Sequence, residues 1–310
     1  MKKKNISIAV CSRSVSKNIP AVKILKKYFK TIKLNNSNKI LKNDELYNFL
    51  NGVEGTIIGL EKVDKIFLNK CPKLRVIGKY GVGTNNIDFK ELKKSKTKIL
   101  LQPGINKRAV SEIVLNFIIT SLRNTNNLIN DVKSNKWPFT FGRLLSGKTV
   151  GIIGFGNIGS DLHKLLKPFG CKILVNDINK KNKFNSLYKI KNSNIKNLLV
   201  NSDIISIHIP LNKNNYFFFS KEQFNLLKKN VTLVNTSRGG IVDEKYLYKF
   251  LKSKTQSNAF FDVMLNEPIT NKKLLNLKNF YLTPHLAGST AETVEVASID
   301  CAKKIVNFFD

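Results

Sequence analysis

Residues 148–170 read KTVGIIGFGNIGSDLHKLLKPFG, and this stretch decides the fold. A run of Thr, Val and Ile typical of a buried strand leads into a helical pattern, with Gly154, Gly156 and Gly159 spaced as GxGxxG between them. In such a motif the first glycine makes a tight turn, the second lets a pyrophosphate approach the backbone, and the third lets helix and strand pack closely. Free amides at the start of the helix can then hold phosphates. The motif predicts a βαβ unit that binds a dinucleotide.

The residue that ends the next predicted strand supports this interpretation. Asp177 follows Gly159 by 18 residues, the spacing at which a carboxylate binds the ribose hydroxyls of the adenosine. Because a carboxylate repels a 2′-phosphate, Asp177 favours NAD over NADP. Lys180 and Lys181 follow closely, and they either soften that preference or are solvated loop charges.

Short apolar runs alternate with longer amphipathic stretches along the 310 residues, which predicts an α/β protein with parallel sheets and two domains. The predicted strands are Ile6–Cys11, Gly55–Leu60, Val76–Lys79, Lys98–Leu101, Thr149–Gly154, Lys172–Asn176, Asp203–His208, Thr232–Asn235 and Ala259–Val263. The predicted helices are Pro20–Phe29, Asp44–Asn51, Lys107–Arg123, Gly159–Phe169 and Thr290–Phe309. Residues 124–142, which carry the single tryptophan, Trp137, are expected to form a polar connection.

The formal charge of +32 is large, but the kind of basic residue that produces it does not indicate a protein that binds nucleic acid. Only six of the 53 basic residues are arginines, whereas sequence-reading proteins use arginine for bidentate contacts to bases and phosphates. The lysines are scattered, and Asn and Ile are equally over-used, as an AT-rich coding bias would produce. We therefore expect no specific nucleic-acid partner, although acidic small substrates would be attracted.

The sequence predicts no membrane span, no secretion signal and no metal site. No run of about 18 apolar residues occurs, and the apolar stretch after the N-terminal lysines, Ile6–Cys11, is too short for a signal peptide. Cys11, Cys71, Cys171 and Cys301 lie far apart without a CxxC pair, so neither a zinc site nor a disulfide framework is expected. These features favour a cytoplasmic protein with reduced, buried cysteines.

Acid–base and anion-binding candidates follow the predicted strands of the second half. His285, in LTPHLAGST, is the best acid–base candidate because flanking Pro and Gly can aim its ring into a cleft. Arg238, in NTSRGG, can bind a carboxylate bidentately at a strand end. Glu267 either orients the ring of His285 and keeps a proton available on it, or serves as a turn residue before Pro268. His208 either lines the cofactor site or has a structural role at the end of its strand.

Several segments together resemble the D-isomer-specific 2-hydroxyacid dehydrogenases, and the resemblance runs from about residue 73 to residue 290. The matching segments, in the family's order, are GKYGVGTNNID, QPGINKRAVSE, GFGNIG, SDIISIHIP, NTSRGGIVDE, FDVMLNEP and TPHLAGST. The resemblance implies two Rossmann-like parallel-sheet domains. A flavodoxin-like substrate domain would comprise residues 1–101 and 286–310, and the inserted NAD-binding domain residues 102–285. The helix after residue 105 and the Trp137 arm would form a homodimer interface.

The resemblance also implies roles for individual residues. Arg238 would bind the substrate carboxylate and polarise the keto oxygen, and His285 would exchange a proton with that oxygen, with Glu267 as its partner. The amides of Val82 and Gly83 would hold the carboxylate, and Asn106 would support the site. The expected cofactor-binding residues are Gly154, Gly156, Asn157, Ile158, Gly159, Asp177, His208, Pro210, Thr236, Asp262 and Gly288, with Asp262 near the nicotinamide amide.

The substrate is the part of the function that the sequence defines least. The GVGTNNID and PGINKRAVSE segments are most similar to phosphoglycerate dehydrogenase-like members, so 3-phosphoglycerate is the first expectation, with glyoxylate or hydroxypyruvate reduction as the alternative. Lys79, Arg75 and Arg108 are possible phosphate partners or ordinary surface charges. An alternative of another class is an NAD-sensing protein similar to transcriptional corepressors, which turnover of 2-keto acids would distinguish.

Overall fold

The computed structural model describes residues 3–179, 187–270 and 272–310. Lys180 and Lys181, named above as possible modifiers of cofactor preference, lie outside the described residues. The chain divides into two compact units, a first unit of residues 1–106 and 289–310 and a second unit of residues 107–288. Each unit contains a parallel β-sheet with helices around it, so the second unit is an insertion into the first.

The first unit is built around a five-stranded parallel sheet in the order β2-β1-β3-β4-β5. Its strands are β1 (Lys4–Val10), β2 (Phe29–Leu34), β3 (Gly55–Ile58), β4 (Val76–Lys79) and β5 (Lys98–Leu100). Its helices are α1 (Arg13–Lys17), α2 (Ile19–Tyr28), α3 (Asn43–Phe49), α4 (Lys65–Lys70), α5 (Phe89–Lys94) and, from the end of the chain, α12 (Ala291–Phe309). Apolar side chains cover both faces of the sheet, as parallel sheets require.

The C-terminal helix α12 completes the core of the first unit. Cys301, Ile305 and Val306 are buried beneath the sheet, and a Cβ at Gly78 of β4 would lie 2.9 Å from the Cys301 sulfur. The helix therefore packs directly on the backbone of a central strand. This close approach fixes the position of α12 beside the end of β4.

The second unit is built around a six-stranded parallel sheet in the order β11-β10-β9-β8-β6-β7. Its strands are β6 (Thr149–Ile153), β7 (Lys172–Asn176), β8 (Ile204–Ile207), β9 (Thr232–Asn235), β10 (Asn258–Phe261) and β11 (Phe280–Leu282). Its described helices are α6 (Lys107–Arg123), α7 (Thr125–Lys133), α8 (Asn157–Leu166), α9 (Ile195–Asn201), α10 (Lys221–Asn225) and α11 (Glu244–Ser253), with short 3₁₀ turns at Lys167–Phe169 and Gly239–Ile241.

Several described elements are absent from the sequence-based prediction: strands β2 and β11 and helices α1, α4, α5, α7, α9, α10 and α11. The expected polar connection after residue 123 contains the helix α7, whose apolar residues Ile129 and Val132 are about half exposed. Strand β2 was not predicted, because it follows α2 without a glycine or proline to mark the boundary. At β2 the missing signal is local, and pairing with β1 decides the conformation.

The cysteines are free, and Cys11, Cys71 and Cys301 are buried while Cys171 is half-buried. Burial raises the pKa of the Cys301 thiol to about 12, which keeps it protonated. Within the described parts of the chain, no helix is both long enough and apolar enough to cross a bilayer.

Candidate active site

The register of the second sheet places the predicted site residues in one row. At the carboxyl end of the sheet the last paired positions are Asn176, Ile153, Ile207, Asn235, Phe261 and Leu282. The residues that follow them line the carboxyl edge in the order Asp177, Gly154, His208, Thr236, Asp262 and Thr283. Strand order reverses at β6, between β7 and β8, and ligands of open α/β sheets bind outside the strand ends at such a switch point.

The glycine turn at this switch point has the form that a pyrophosphate requires. Gly154 has a φ of +92°, and a Cβ there would lie 2.8 Å from the carbonyl oxygen of His208. A Cβ at Gly159 would lie 2.2 Å from the Gly154 oxygen, whereas no atom lies within 4 Å of a Cβ at Gly156. No side chain caps the start of α8, where Asn157 and Ile158 follow, so the turn leaves space and amides for a phosphate.

The carboxylate of Asp177 lies beside this turn. Its Oδ2 accepts a hydrogen bond from the amide of Phe155 at 2.7 Å, and its Oδ1 accepts one from the amide of Asn179 at 2.8 Å. A carboxylate has about four acceptor positions, so acceptor capacity remains for ribose hydroxyls. Asp177 therefore lies beside the glycine turn, and its contact with the ribose of NAD stays a prediction.

Two polar groups in the middle of the row have buried atoms without a partner. Nδ1 of His208 and the hydroxyl of Thr236 make no hydrogen bond within the described structure, while Nε2 of His208 lies 2.8 Å from the Ser206 hydroxyl. Burial of the ring lowers the pKa of His208 to about 3, so its imidazole is neutral at physiological pH. Buried polar atoms normally have partners, and these two are available to a ligand along the row. The residues present therefore fit a dinucleotide.

The remaining predicted cofactor residues lie next to this row. Pro210 is exposed two positions after His208, and its carbonyl accepts a hydrogen bond from the Asn215 amide group. Gly288 is half-buried at the end of the second unit, directly after the buried Ala287.

Arg238 is held at the end of β9 by an asparagine that sequence reasoning missed. The fully buried Asn235 accepts hydrogen bonds from the amide and the hydroxyl of Ser237, at 3.0 and 2.7 Å, and donates to the Arg238 carbonyl at 3.1 Å. Nη1 of Arg238 also donates to the Ser237 carbonyl at 2.7 Å. Burial lowers the pKa of the guanidinium, and the nearby charge of Glu267 opposes this effect. An asparagine three residues before the arginine was the available sequence signal.

Glu267 and His285 form a hydrogen-bonded pair in the second unit. Nδ1 of His285 lies 2.6 Å from Oε2 of Glu267, and the other carboxylate oxygen accepts the amide of Met264 at 2.9 Å. Both ends of the carboxylate are therefore fixed, and the ring is oriented through Nδ1. This arrangement leaves Nε2 of His285 as the atom that can exchange a proton with a substrate.

Asp262 holds the loop that carries His285. The residue is 1% exposed, and its carboxylate accepts hydrogen bonds from the Thr283 hydroxyl at 2.5 Å, the Leu286 amide at 2.9 Å and the Ala287 amide at 2.8 Å. His285 itself has a φ of +56°, an unfavourable backbone conformation for a residue with a Cβ. The three bonds lie on both sides of that residue and hold the loop in place. The sequence-based expectation that Asp262 lies near the nicotinamide amide stays a prediction.

The predicted substrate-binding residues Val82, Gly83 and Asn106 belong to the first unit. Within the described structure, no protein acceptor receives the amide protons of Val82 and Gly83, which makes these protons available to an anion. Oδ1 of Asn106 is buried and has no hydrogen-bond partner among the residues that the structure describes.

The cations named as phosphate partners are engaged elsewhere or buried. Arg75 precedes β4 at the amino edge of its sheet, 3.6 Å from Glu54, and Arg108 lies 3.1 Å from the buried Asp161. Lys79 is 3% exposed at the carboxyl edge, and its ammonium donates to the Tyr80 carbonyl at 2.8 Å.

Comparisons with known proteins identify the family. A family model described as "D-isomer specific 2-hydroxyacid dehydrogenase, NAD binding domain" matches residues 115–287. A glyoxylate reductase of Thermococcus litoralis is 35% identical over 80% of this chain and 78% of its own length. A hydroxypyruvate reductase of Thermotoga maritima is 32% identical over 86% of this chain and 88% of its own. A D-3-phosphoglycerate dehydrogenase of Methanocaldococcus jannaschii is 34% identical over 79% of this chain and 47% of its own length.

Solved structures agree with the fold. The NAD⁺-bound 3-phosphoglycerate dehydrogenase of Entamoeba histolytica superposes with a TM-score of 0.80 at 24% identity, covering 99% of this chain and 96% of that one. The predicted α/β fold with two parallel-sheet domains is confirmed, as is the assignment of NAD as cofactor. The chain belongs to the family of D-isomer-specific 2-hydroxyacid dehydrogenases, NAD-dependent oxidoreductases that act on the CH–OH group of hydroxy acids.

Proposed function

We propose that this chain interconverts a small, unphosphorylated 2-keto acid and the corresponding 2-hydroxy acid, with glyoxylate and hydroxypyruvate as the first candidates. The observation that carries the proposal is the 2.6 Å contact between His285 and Glu267, which prepares an imidazole for proton exchange. Arg238 lies in the same unit, close enough to Glu267 for their charges to interact.

Each of the three residues has a distinct task in the proposed mechanism. Arg238 binds the substrate carboxylate and places positive charge beside the keto oxygen, where negative charge develops. Nε2 of His285 gives its proton to that oxygen during reduction and takes the hydroxyl proton during oxidation. Glu267 orients the ring through Nδ1 and stabilises its protonated form. NAD, held at the glycine turn and Asp177, supplies or accepts the hydride when bound.

The preference for an unphosphorylated acid follows from the cations of the molecule. Arg75 is at the amino edge of its sheet and Arg108 is paired with a buried carboxylate, so neither supports binding of a substrate phosphate. The relatives from Thermococcus litoralis and Thermotoga maritima reduce glyoxylate and hydroxypyruvate by name. 3-Phosphoglycerate remains the second candidate, because the buried Lys79 lies two residues before the Gly81–Gly83 loop and could attract a phosphate.

The direct test is NADH oxidation at 340 nm with glyoxylate, hydroxypyruvate and 3-phosphohydroxypyruvate, repeated with NADPH. We expect turnover of the first two and a preference for NADH. His285→Ala should lower kcat by roughly 10²- to 10⁴-fold, and Arg238→Ala should also raise KM for the keto acid. Near-normal activity in both variants would refute the mechanism, and a clear preference for the phosphorylated acid would restore the second candidate.

We also propose a homodimer, formed through the helix α6 and the arm around Trp137. The exposed fractions of Trp137, Phe139 and Phe141 are 89%, 88% and 89%, and exposed aromatic groups of this size are typical of interaction surfaces. Replacing Trp137 and Phe141 with Ser should yield a monomer by light scattering if the proposal is right. A cytoplasmic location and the absence of specific nucleic-acid or membrane partners stay predictions from the sequence.

A further inference from the structure

A buried glutamine in the first unit links the end of β4 to the C-terminal helix. Gln102 is 2% exposed and lies two residues after the end of β5. Its Nε2 donates to the Ala297 carbonyl and to Oδ2 of Asp300, each at 2.7 Å, and its Oε1 accepts the amide of Gly81 at 3.3 Å. One side chain therefore joins β5, α12 and the loop that begins at Gly81.

The orientation of the Gln102 amide follows from its partners. A backbone carbonyl and a carboxylate can only accept hydrogen bonds, so both must face the NH₂ group of the amide. The oxygen then points to the only donor of the three, the Gly81 amide. An amide satisfied on both sides in a buried place has one preferred orientation, and it transmits the position of α12 to Gly81.

The loop that Gln102 contacts is the one with available amides. Gly81 has a φ of +84° and directly precedes Val82 and Gly83. The preceding residue, Tyr80, is fixed by its amide, which donates to the Ile58 carbonyl at 2.9 Å. Gln102 therefore holds the chain at Gly81, directly before the two amides.

We propose that Gln102 is a positioning residue for the substrate carboxylate, acting through Gly81 on the amides of Val82 and Gly83. The inference rests on the proposed function and on the family resemblance, which implies that these amides hold the substrate carboxylate. It makes helix α12 part of the substrate-binding apparatus, because Ala297 and Asp300 hold Gln102 in place. A loop released from Gln102 would present its amides in several directions and bind the carboxylate more weakly.

The test compares Gln102→Met with a matched control, Lys304→Met. Methionine has a similar volume and cannot make the three hydrogen bonds, so we expect KM for the preferred keto acid to rise about fivefold, with kcat and KM for NADH within twofold of wild type. Lys304 pairs with the same Asp300 at 2.8 Å and donates to the Leu101 carbonyl at 2.9 Å, without contacting the loop. Lys304→Met should therefore leave KM for the keto acid unchanged.

Hydrogen exchange at the Gly81 amide distinguishes a positioning role of Gln102 from a general role in packing, which would not change the exchange rate at Gly81. We expect faster exchange at Gly81 in Gln102→Met and unchanged exchange in Lys304→Met. Should Gln102→Met fold poorly, Asp300→Ala keeps the glutamine and removes one of its two acceptors, and KM should still rise at least twofold. An unchanged KM for the keto acid in a well-folded Gln102→Met would overturn the inference about Gln102, and turnover by the wild type would still support the proposed function. Absence of turnover by the wild type with any keto acid would refute the proposed function itself.

Discussion

The substitution Asp262→Asn tests how the molecule holds its acid–base residue. The carboxylate accepts three hydrogen bonds from the loop around His285, two on Oδ1 and one on Oδ2. An asparagine keeps the shape and the burial but has a single oxygen. If that oxygen replaces Oδ1, the new NH₂ group faces the Ala287 amide, so that two donors meet.

The size of the effect follows from these contacts. Hydrogen bonds to a charged acceptor contribute about 1.5–3 kcal/mol each and neutral ones about 0.5–1.5, so the two bonds that survive lose about 1 kcal/mol apiece. The unpaired buried donor costs about 1–3 kcal/mol more. Burying an amide costs less desolvation free energy than burying a carboxylate, and this difference offsets part of the loss. We therefore expect a net loss of about 3 kcal/mol in the stability of the loop. His285, at a φ of +56°, should then leave its position most of the time.

Steady-state kinetics at saturating NADH and keto acid measure this loss. Each 1.4 kcal/mol corresponds to a factor of ten, so a loss of about 3 kcal/mol should lower kcat by up to about 100-fold. The matched control is Asp203→Asn, because Asp203 precedes β8 at the opposite edge of the same sheet. Its carboxylate accepts the Thr149 amide at 2.9 Å and the Lys228 ammonium at 2.8 Å. This control should lower the melting temperature without changing kcat.

Two results would contradict the reasoning about Asp262. A kcat within twofold of wild type would show that the loop does not need the carboxylate. A large rise in KM for NADH with kcat unchanged would show instead that Asp262 acts on the nicotinamide, as the sequence-based expectation had it.

Three further predictions concern other parts of the second unit. Glu267→Gln should lower kcat about 10²-fold with KM for NADH unchanged, because the amide no longer orients His285 as a carboxylate does; wild-type kcat would exclude this role. Gly239→Ala should abolish most activity, because a Cβ there would lie 1.9 Å from the backbone of the loop that carries Glu267. Gly240→Ala should lose less activity, because a Cβ there would lie 3.1 Å from the nearest side chain. Equal activities of the two variants would contradict this prediction. The pKa of His208 in the folded chain is about 3, below the ordinary value near 6.5, so the unfolded chain takes up a proton first as the pH falls. The free energy of unfolding should therefore decrease as the pH drops below about 6.5. In urea titrations, His208→Asn should show a smaller decrease between pH 7 and pH 4.5 than the wild type.

The features that the sequence predicted correctly are those with a local physical cause. The GxGxxG turn was found because close approaches of backbone allow only glycine, as the 2.2 Å from the Gly154 oxygen to a Cβ at Gly159 shows. Strand Val76–Lys79 and helix Lys107–Arg123 have the predicted boundaries, because hydrophobic period and burial agree there. Strand β2 and helix α7 lacked such agreement and were missed.

The sequence by itself determined the α/β class and the chemical types at the site, since a proton-exchanging imidazole and a carboxylate-binding guanidinium are properties of single side chains. Only the tertiary structure decided what each group contacts. Arg75 and Arg108 have the positive charge that a phosphate-binding residue needs, but in the folded chain they pair with Glu54 and Asp161. Asp262 and Gln102 hold loops that begin about 20 residues away along the chain, and strand register brings these segments together. Register depends on pairing between distant strands, and no local pattern of residues contains that information.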